Sequence, residues 1–375
     1  MAGLYLHIPF CKSKCVYCGF YSTVNQKDID KYISTLSEEL TLRESEVTES
    51  VKTAYFGGGT PSLLQPSQLH QILDKLHDRF KIAPDAEMTI EANPEQLTPE
   101  YCKSLKALGF NRLSIGVQSF HDDILRFLGR RHTAQEALDA IKNAHDAGFD
   151  NISIDLIYGV NERSNKQWCN ELEKAFSIPI RHFSAYALTV EENSLLYRRI
   201  HQHKTVEPDE DLAARQYDIL QETAVRSPFM QYEVSNYAVK GWESKHNSAY
   251  WQRVPYLGFG PAAHSFDGTH RYWNAPTLAT YFAQIAEKKT FYGHETLSKT
   301  DHYNEYLLLR LRTRSGIDLR EMAQLFGQKR TDALLRHFQT EVNPRHYEYT
   351  PGRLHLTAEG LWFADGIAGD CFLEH

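Results

Sequence analysis

The strongest constraint on the fold is a rhythm. Between residues 4 and 187, six short apolar segments (4–8, 53–56, 88–92, 112–117, 152–157 and 182–187) alternate with amphipathic stretches near residues 28–46, 66–80, 98–108, 133–147 and 165–176. The apolar segments are rich in aromatic and β-branched residues and bounded by Gly, Pro or Asn, the pattern of strands. Pro66 and Pro99 suit a first helical turn, where no backbone N–H is needed. Thr133 with Glu136 predicts a capping box. Such alternation requires a parallel sheet with helical crossovers. Periodicity alone leaves a barrel, a partial barrel and a doubly wound sheet open.

After residue 190 the rhythm changes. A long helix is expected at 209–225, then a Tyr/Gly/Trp-rich region at 231–274 with strand-like pieces at 231–237 and 256–266. Helical spacing returns at 303–311, 319–326 and 332–338, followed by a hairpin, 347–349 and 353–356, around Pro351-Gly352. That order is winged-helix-like. The expected division is a first domain over residues 1–290 and a small helical domain over 291–375. A chain of 375 residues with net charge −7 has no global attraction for nucleic acid, and the last module carries no basic stripe. No apolar run approaches the ~18 residues of a membrane span. The opening MAGLYLHIPF has no basic leader region, so the expectation is a soluble, cytoplasmic protein.

Six cysteines are sparse, yet Cys11, Cys15 and Cys18 fall together, directly after the first strand. In a reducing compartment such a cluster signals metal binding or catalysis rather than disulfides. C-x3-C-x2-C supplies three thiolates. Structural zinc sites normally close with four ligands, so zinc would need a distant His; unligated thiols are the other bland reading. A [4Fe–4S] cube held by three cysteines keeps one iron open for a small molecule. The other strand ends are also unusual. The second runs into Gly57-Gly58-Gly59-Thr60-Pro61, the third ends in Ile90-Glu91-Ala92-Asn93-Pro94, the fourth in Gly116-Val117-Gln118-Ser119; the fifth carries Asp155 and the sixth ends at Tyr186-Ala187. A tight turn explains three glycines as well as ligand approach does. Buried carboxylates at Glu91 and Asp155 need partners, and in α/β barrels the C-terminal rim of the strands is where ligands sit.

CKSKCVYC after a strand that opens a βα series resembles the radical S-adenosylmethionine (SAM) superfamily, in which the open iron is chelated by SAM. LYLHIPFC, GGGTPS, IEANP, LSIGVQSF, LGRRH and ISIDLIYG resemble one branch, the oxygen-independent coproporphyrinogen III oxidases and their HemW-type heme chaperone relatives, over most of residues 4–270. The resemblance implies a partial (β/α)6 TIM-like barrel of the radical SAM type with a small α-helical, winged-helix-like C-terminal domain. It implies a [4Fe–4S] cluster on Cys11, Cys15 and Cys18. It also implies SAM contacts from Tyr5, Tyr17, Gly58, Gly59, Thr60, Glu91, Gln118, Arg130, Asp155, Ala187 and His264.

Two departures separate the branches. The oxidases resemble this chain but carry a fourth Cys two residues after the third, where this chain has Phe20, and have an extension before the first strand. Conversely, His246-Asn247-Ser248-Ala249-Tyr250-Trp251 matches the H-N-x-x-Y-W motif of the heme chaperones. The resemblance therefore implies heme held by His246 as axial ligand, with Asn247, Tyr250 and Trp251 beside it, and delivery to acceptor hemoproteins, respiratory ones among them. It further implies peripheral contact with a membrane through such partners, a homodimer, and no coproporphyrinogen oxidase activity. The bland reading of the motif is a hydrogen-bonded His in a loop beside a buried aromatic pair. The alternatives are the oxidative decarboxylase and a radical SAM enzyme acting on another substrate.

Overall fold

The computed structural model describes residues 2–374. Six parallel strands stand side by side in chain order: β1 (Ala2–Ile8), β2 (Val51–Gly58), β3 (Ile82–Ala92), β4 (Arg112–Gln118), β5 (Asn151–Tyr158) and β6 (His182–Ala187). Every expected strand lies within one of them. The crossovers carry α1 (Ile29–Leu42), α2 (Pro66–Arg79), α3 (Pro99–Ala107), α4 (Asp122–Leu128) followed by α5 (Ala134–Asp146), and α6 (Asn165–Ser177). Pro66 and Pro99 open their helices, and Thr133 and Glu136 form the reciprocal cap of α5. All seven residues of β4 are buried, as expected of a parallel strand covered on both faces.

The six strands do not close, because β1 and β6 each have another neighbour. After α7 (Leu195–His201) and α8 (Glu210–Ala224), the chain forms β7 (Phe229–Gln231) and β8 (Asn236–Val239), and β8 pairs antiparallel with β6. Then α9 (Lys245–Trp251) leads to β9 (Tyr256–Phe259), which pairs parallel with the free edge of β1. β10 (His264–Phe266), β11 (His270–Trp273), α10 (Leu278–Ala286) and β12 (Gly293–Thr296) follow; their strands extend that edge. The architecture is a partial (β/α)6 barrel within a twelve-stranded sheet. The strand-like pieces at 231–237 and 256–266 are each two strands, the second pair separated by a turn in which Gly260 and Ala262 have positive φ.

A buried network pins β9 to the barrel. The Glu39 carboxylate on α1 accepts from the Gly260 N–H (2.8 Å), the Tyr281 hydroxyl (2.7 Å) and the Asn274 amide (2.7 Å). Arg43 pairs with Glu39 at 3.2 Å and donates to the Gly258 carbonyl at 2.8 Å.

The rest of the chain forms α11 (Lys299–Leu311), β13 (Ile317–Asp318), α12 (Leu319–Phe326), α13 (Gln328–Thr340), β14 (Tyr347–Thr350), β15 (Arg353–Leu356), α14 (Ala358–Trp362) and α15 (Ala364–Asp370). Its three-stranded sheet and helices bury a core of their own around Leu307, Met322, Leu334 and Phe338. The order helix, strand, helix, helix, hairpin is the winged-helix pattern, with two further short helices added. This module is tied to the barrel through Val234 N–H to Arg312 O (2.9 Å) and the Tyr217 hydroxyl to Ala358 O (2.9 Å). Among the described residues no helix is long and apolar enough to cross a membrane.

Candidate functional site

One cavity of about 1400 Å³ opens at the C-terminal rim of the six strands and continues beneath the C-terminal module. It exceeds the 300–1,000 Å³ usual for one small-molecule ligand. Cys11, Cys15 and Cys18 line it. Their loop is held at several points: Cys11 N–H to Thr23 O (2.9 Å), Val16 N–H to the end of α4 at Leu128 O (3.0 Å), and Leu196 N–H of α7 to Val16 O (2.8 Å).

Each sulfur faces a donor. Thr60 Oγ1 lies 3.5 Å from Cys11 Sγ, and Ser22 also bonds Cys11; Arg130 Nη1 lies 3.3 Å from Cys15 Sγ; the Phe20 N–H serves Cys18. Burial pushes the Cys11 and Cys18 thiols up, and the neighbouring cysteines add to it. Three mutually interacting thiols, each offered a donor, suit thiolates whose charge a metal centre compensates. Among the described residues no three His, Cys, Asp or Glu side chains converge on a single-ion position. A tetrahedral zinc with Zn–S near 2.3 Å would hold its sulfurs roughly 3.8 Å apart. The three cysteines line one cavity, which has room for a cluster larger than a single ion.

The glycines after β2 are explained first by packing. The Gly59 N–H donates to Ile8 O and the Thr60 N–H to Phe10 O, both at 2.8 Å. A Cβ on Gly59 would lie 2.8 Å from both of those carbonyl oxygens. Gly58 has φ +108 and would strike the His7 ring. The triple glycine thus seats the cysteine loop against β2, and its cavity side remains open at Gly58, Gly59 and Thr60.

Glu91 accepts from the Tyr55 hydroxyl (2.7 Å) and the Gly58 N–H (3.0 Å), and burial raises its carboxyl to about 7. Burial likewise raises Asp155 to about 6, against the Ser184 hydrogen bond. Arg130 is clamped by Asn93 Oδ1 (2.5 Å) and the Gly116 carbonyl (2.6 Å), while its Nε has no partner among the described residues. Gln118 ends β4 at φ 67, where the register with β5 shifts. Tyr17, Gln118, Asp155 and Ala187 line the same cavity.

The structure does not bring every expected residue to this wall. Tyr5 lies one layer below, its hydroxyl 3.0 Å from His7 Nδ1 and its ring stacked on Tyr55. His264 sits exposed on β10, outside the cavity lining. Glu233, Asn236, Arg312 and His346 line the cavity without having been singled out. They belong to no motif, and only the folded chain brings them together.

The H-N-x-x-Y-W residues sit on a helix, not a loop. On α9, residues four apart share a face. His246 therefore stands over Tyr250, and Asn247 over Trp251. Asn247, Tyr250 and Trp251 line the cavity, whereas His246 is 2% exposed and does not. Its Nδ1 lies 2.8 Å from Thr53 Oγ1 and its Nε2 2.9 Å from the Tyr250 hydroxyl. Burial lowers its pKa to about 3. The neutral ring keeps one nitrogen lone pair, which in the ligand-free chain is engaged in one of these two hydrogen bonds.

A three-cysteine loop at the rim of a partial (β/α)6 barrel defines the chain as a radical SAM protein. The radical SAM superfamily profile matches residues 5–174, and the HemN C-terminal domain profile matches residues 297–363. The chain is 35% identical to the heme chaperone HemW of Mycobacterium tuberculosis over 97% of this chain and 93% of that one. It is 34% identical to that of Bacillus subtilis over 88% of each. It is also 35% identical to the mouse mitochondrial radical S-adenosyl methionine domain-containing protein 1, over 84% of this chain and 74% of that one. The chain belongs to the HemW family. In fold it also matches the Escherichia coli coproporphyrinogen III oxidase HemN, with TM-score 0.84 at 24% identity over 99% of this chain and 89% of that one. Membership of the radical SAM superfamily implies a [4Fe–4S] cluster and SAM.

Proposed function

We propose that this chain is a heme chaperone that binds heme in the rim cavity and passes it to acceptor hemoproteins, with a [4Fe–4S] cluster and SAM at the cavity's barrel end. The observation that carries the reading is the continuity of one cavity from Cys11, Cys15 and Cys18 to Trp251 and the C-terminal module. Its volume leaves room for a second, larger molecule beside a nucleotide.

In this reading Cys11, Cys15 and Cys18 hold the cluster. When bound, the cluster supplies an open iron and an electron to SAM. Gly58, Gly59 and Thr60 offer open backbone to the amino-acid end of SAM. Arg130, already fixed by Asn93 and Gly116, faces its carboxylate, as a planar guanidinium suits. Glu91, Gln118 and Asp155 face its polar groups, Tyr17 and Ala187 close the wall, and Tyr5 supports it from behind through Tyr55. Asn247, Tyr250 and Trp251 face heme, and His246, whose Nε2 meets the Tyr250 hydroxyl, would ligate the heme iron once that hydrogen bond opens. The reading extends to the division at residue 290, a cytoplasmic location, a homodimer, and transfer to membrane-associated acceptors without entry into the membrane. Phe20, 71% exposed at the cavity mouth, stands where the oxidases carry a further Cys.

The test is separate titration of anaerobically reconstituted protein with SAM and with heme, followed by an assay with coproporphyrinogen III and a reductant. Saturable heme binding and transfer to an apo-hemoprotein, with no protoporphyrinogen formed, is the expected result. Turnover to protoporphyrinogen without stable heme binding would replace this reading with the decarboxylase.

A further inference from the structure

We infer that Arg112 receives a propionate carboxylate of the bound heme inside the barrel. The inference rests on the heme reading above and deepens it. Leu113, Ile115 and Val117 of β4 pack into the core. Arg112, Ser114 and Gly116 alternate with them and face the barrel interior, and Ser114 lines the cavity. In an α/β barrel that interior is normally filled by branched apolar side chains. Here Arg112 pairs in register with Thr89 on β3 and Asn151 on β5. All three carry a buried polar atom with no partner among the described residues: Arg112 Nε, Thr89 Oγ1 and Asn151 Oδ1. Arg112 is 1% exposed, and a guanidinium so deeply buried is costly unless an anion meets it. The neighbouring carboxylates are engaged elsewhere. Glu87, one rung below, accepts from the N–H groups of Lys245 (3.1 Å) and His246 (3.0 Å). Glu91, one rung above, accepts from the Tyr55 hydroxyl and the Gly58 N–H, and Asp155 bonds Ser184.

Heme has carboxylates to place, and the cavity offers few places. Under the C-terminal module it is lined by Glu341, Asp365 and Asp370, which repel a carboxylate, and Arg312 there is already held by both Asp365 oxygens at 2.6 Å. At the mouth, Lys12, Lys14 and Arg131 are exposed, where water screens them. Arg130 lies against Cys15 and is fixed by Asn93 and Gly116. Arg112 is a cation in a dry place with hydrogen bonds to give. The His246 ring stacks on Tyr55, centroids 5.0 Å apart, and Tyr55 pairs with Thr89. Arg112 therefore stands two strands from the residue that carries the heme-motif His, roughly 10 Å at ~4.8 Å per strand, a span that a porphyrin with its propionate arm can cross. A guanidinium fork binds a carboxylate through two parallel hydrogen bonds. The Thr89 hydroxyl can donate a third, and the Asn151 amide, turned over, a fourth.

The experiment titrates the full chain, as wild type, Arg112→Met and Arg112→Lys, with hemin and with hemin dimethyl ester in the same dilute detergent, reading affinity and Soret position. The wild type should bind hemin at least roughly tenfold more tightly than the ester. Arg112→Met should lose most of that preference while its bound hemin keeps the wild-type Soret position, because the iron ligand is untouched. Arg112→Lys should keep a reduced preference, an arm that stands even where Arg112→Met does not fold. The preference is a ratio within one protein, so loss of folded material does not imitate it. A wild type that binds both alike, the outcome if Arg112 meets only water, would overturn the inference, as would an undiminished preference in both variants; either leaves the heme reading standing. Absence of saturable hemin binding in the wild type would overturn both.

Discussion

Two single residues show where the site stores strain and where it tolerates no atom. Gln118 holds φ 67 at the end of a buried strand, a conformation that costs a non-glycine residue on the order of 1 kcal/mol and is kept where its side chain is needed. Gln118→Gly is expected to raise unfolding stability by roughly 0.5–1 kcal/mol in denaturant titrations while weakening SAM affinity; a variant that binds SAM as the wild type does would remove Gln118 from the site. Gly59→Ala should do the opposite. Its Cβ would press on two backbone carbonyls of the segment that carries Cys11. A stability loss of about 1–3 kcal/mol, with less iron taken up on reconstitution, is the expected outcome; full iron loading would show that the loop can shift freely. The three glycines are visible as a motif, but not their reason. The close approach that matters is between β2 and the β1 loop, across a contact that linear spacing does not show.

At the scale of elements, α9 explains what the spacing H-N-x-x-Y-W does. Its two pairs of residues four apart put His246 and Tyr250 on one face and Asn247 and Trp251 on the next. The helix is hard to foresee, because its seven residues carry no apolar stripe and its start rests on a Ser244 cap and on Glu87, far away in sequence, accepting from the N–H groups of Lys245 and His246. The barrel strands were readable because each is a dense β-branched or aromatic run between breakers. The two edge extensions were not, since nothing local says that β9 pairs parallel with β1. That junction depends on the buried Glu39–Arg43 pair. Glu39→Ala would leave Arg43 only Glu46 as an ionic partner and strip the Gly260 N–H, the Tyr281 hydroxyl and the Asn274 amide of their acceptor, and should cost about 1–3 kcal/mol of stability by denaturant unfolding. A loss under about 1 kcal/mol would mean that the network merely decorates the junction.

Across the whole molecule, the cavity gathers carboxyls whose protons are held in the folded state. Burial raises Glu91 and Glu233 to about 7 and Asp155 to about 6. The folded ligand-free protein then keeps protons that the unfolded chain has released, so each group lowers stability as pH rises through this range. His7, His182 and His246, lowered by burial, act oppositely: the unfolded chain binds their protons first, so stability grows as pH approaches 6.5. Glu233→Gln removes one downward contribution. Its stability relative to wild type should increase by roughly 1–3 kcal/mol between pH 5 and 7.5, and a difference flat in pH would contradict the assignment. None of this was readable in the linear chain, because Glu233 acquires its environment only where the β7–β8 turn meets the start of the C-terminal module. The central claim is that Cys11, Cys15 and Cys18 hold an iron–sulfur cube with one open iron. The direct measurement is iron and sulfide content, with electron paramagnetic resonance of the reduced protein, after strictly anaerobic reconstitution. The account predicts four irons and four sulfides per chain, a cluster signal that changes when SAM is added, and loss of both when Cys15 is replaced by Ser. A single zinc ion, or a cluster signal indifferent to SAM, would contradict it.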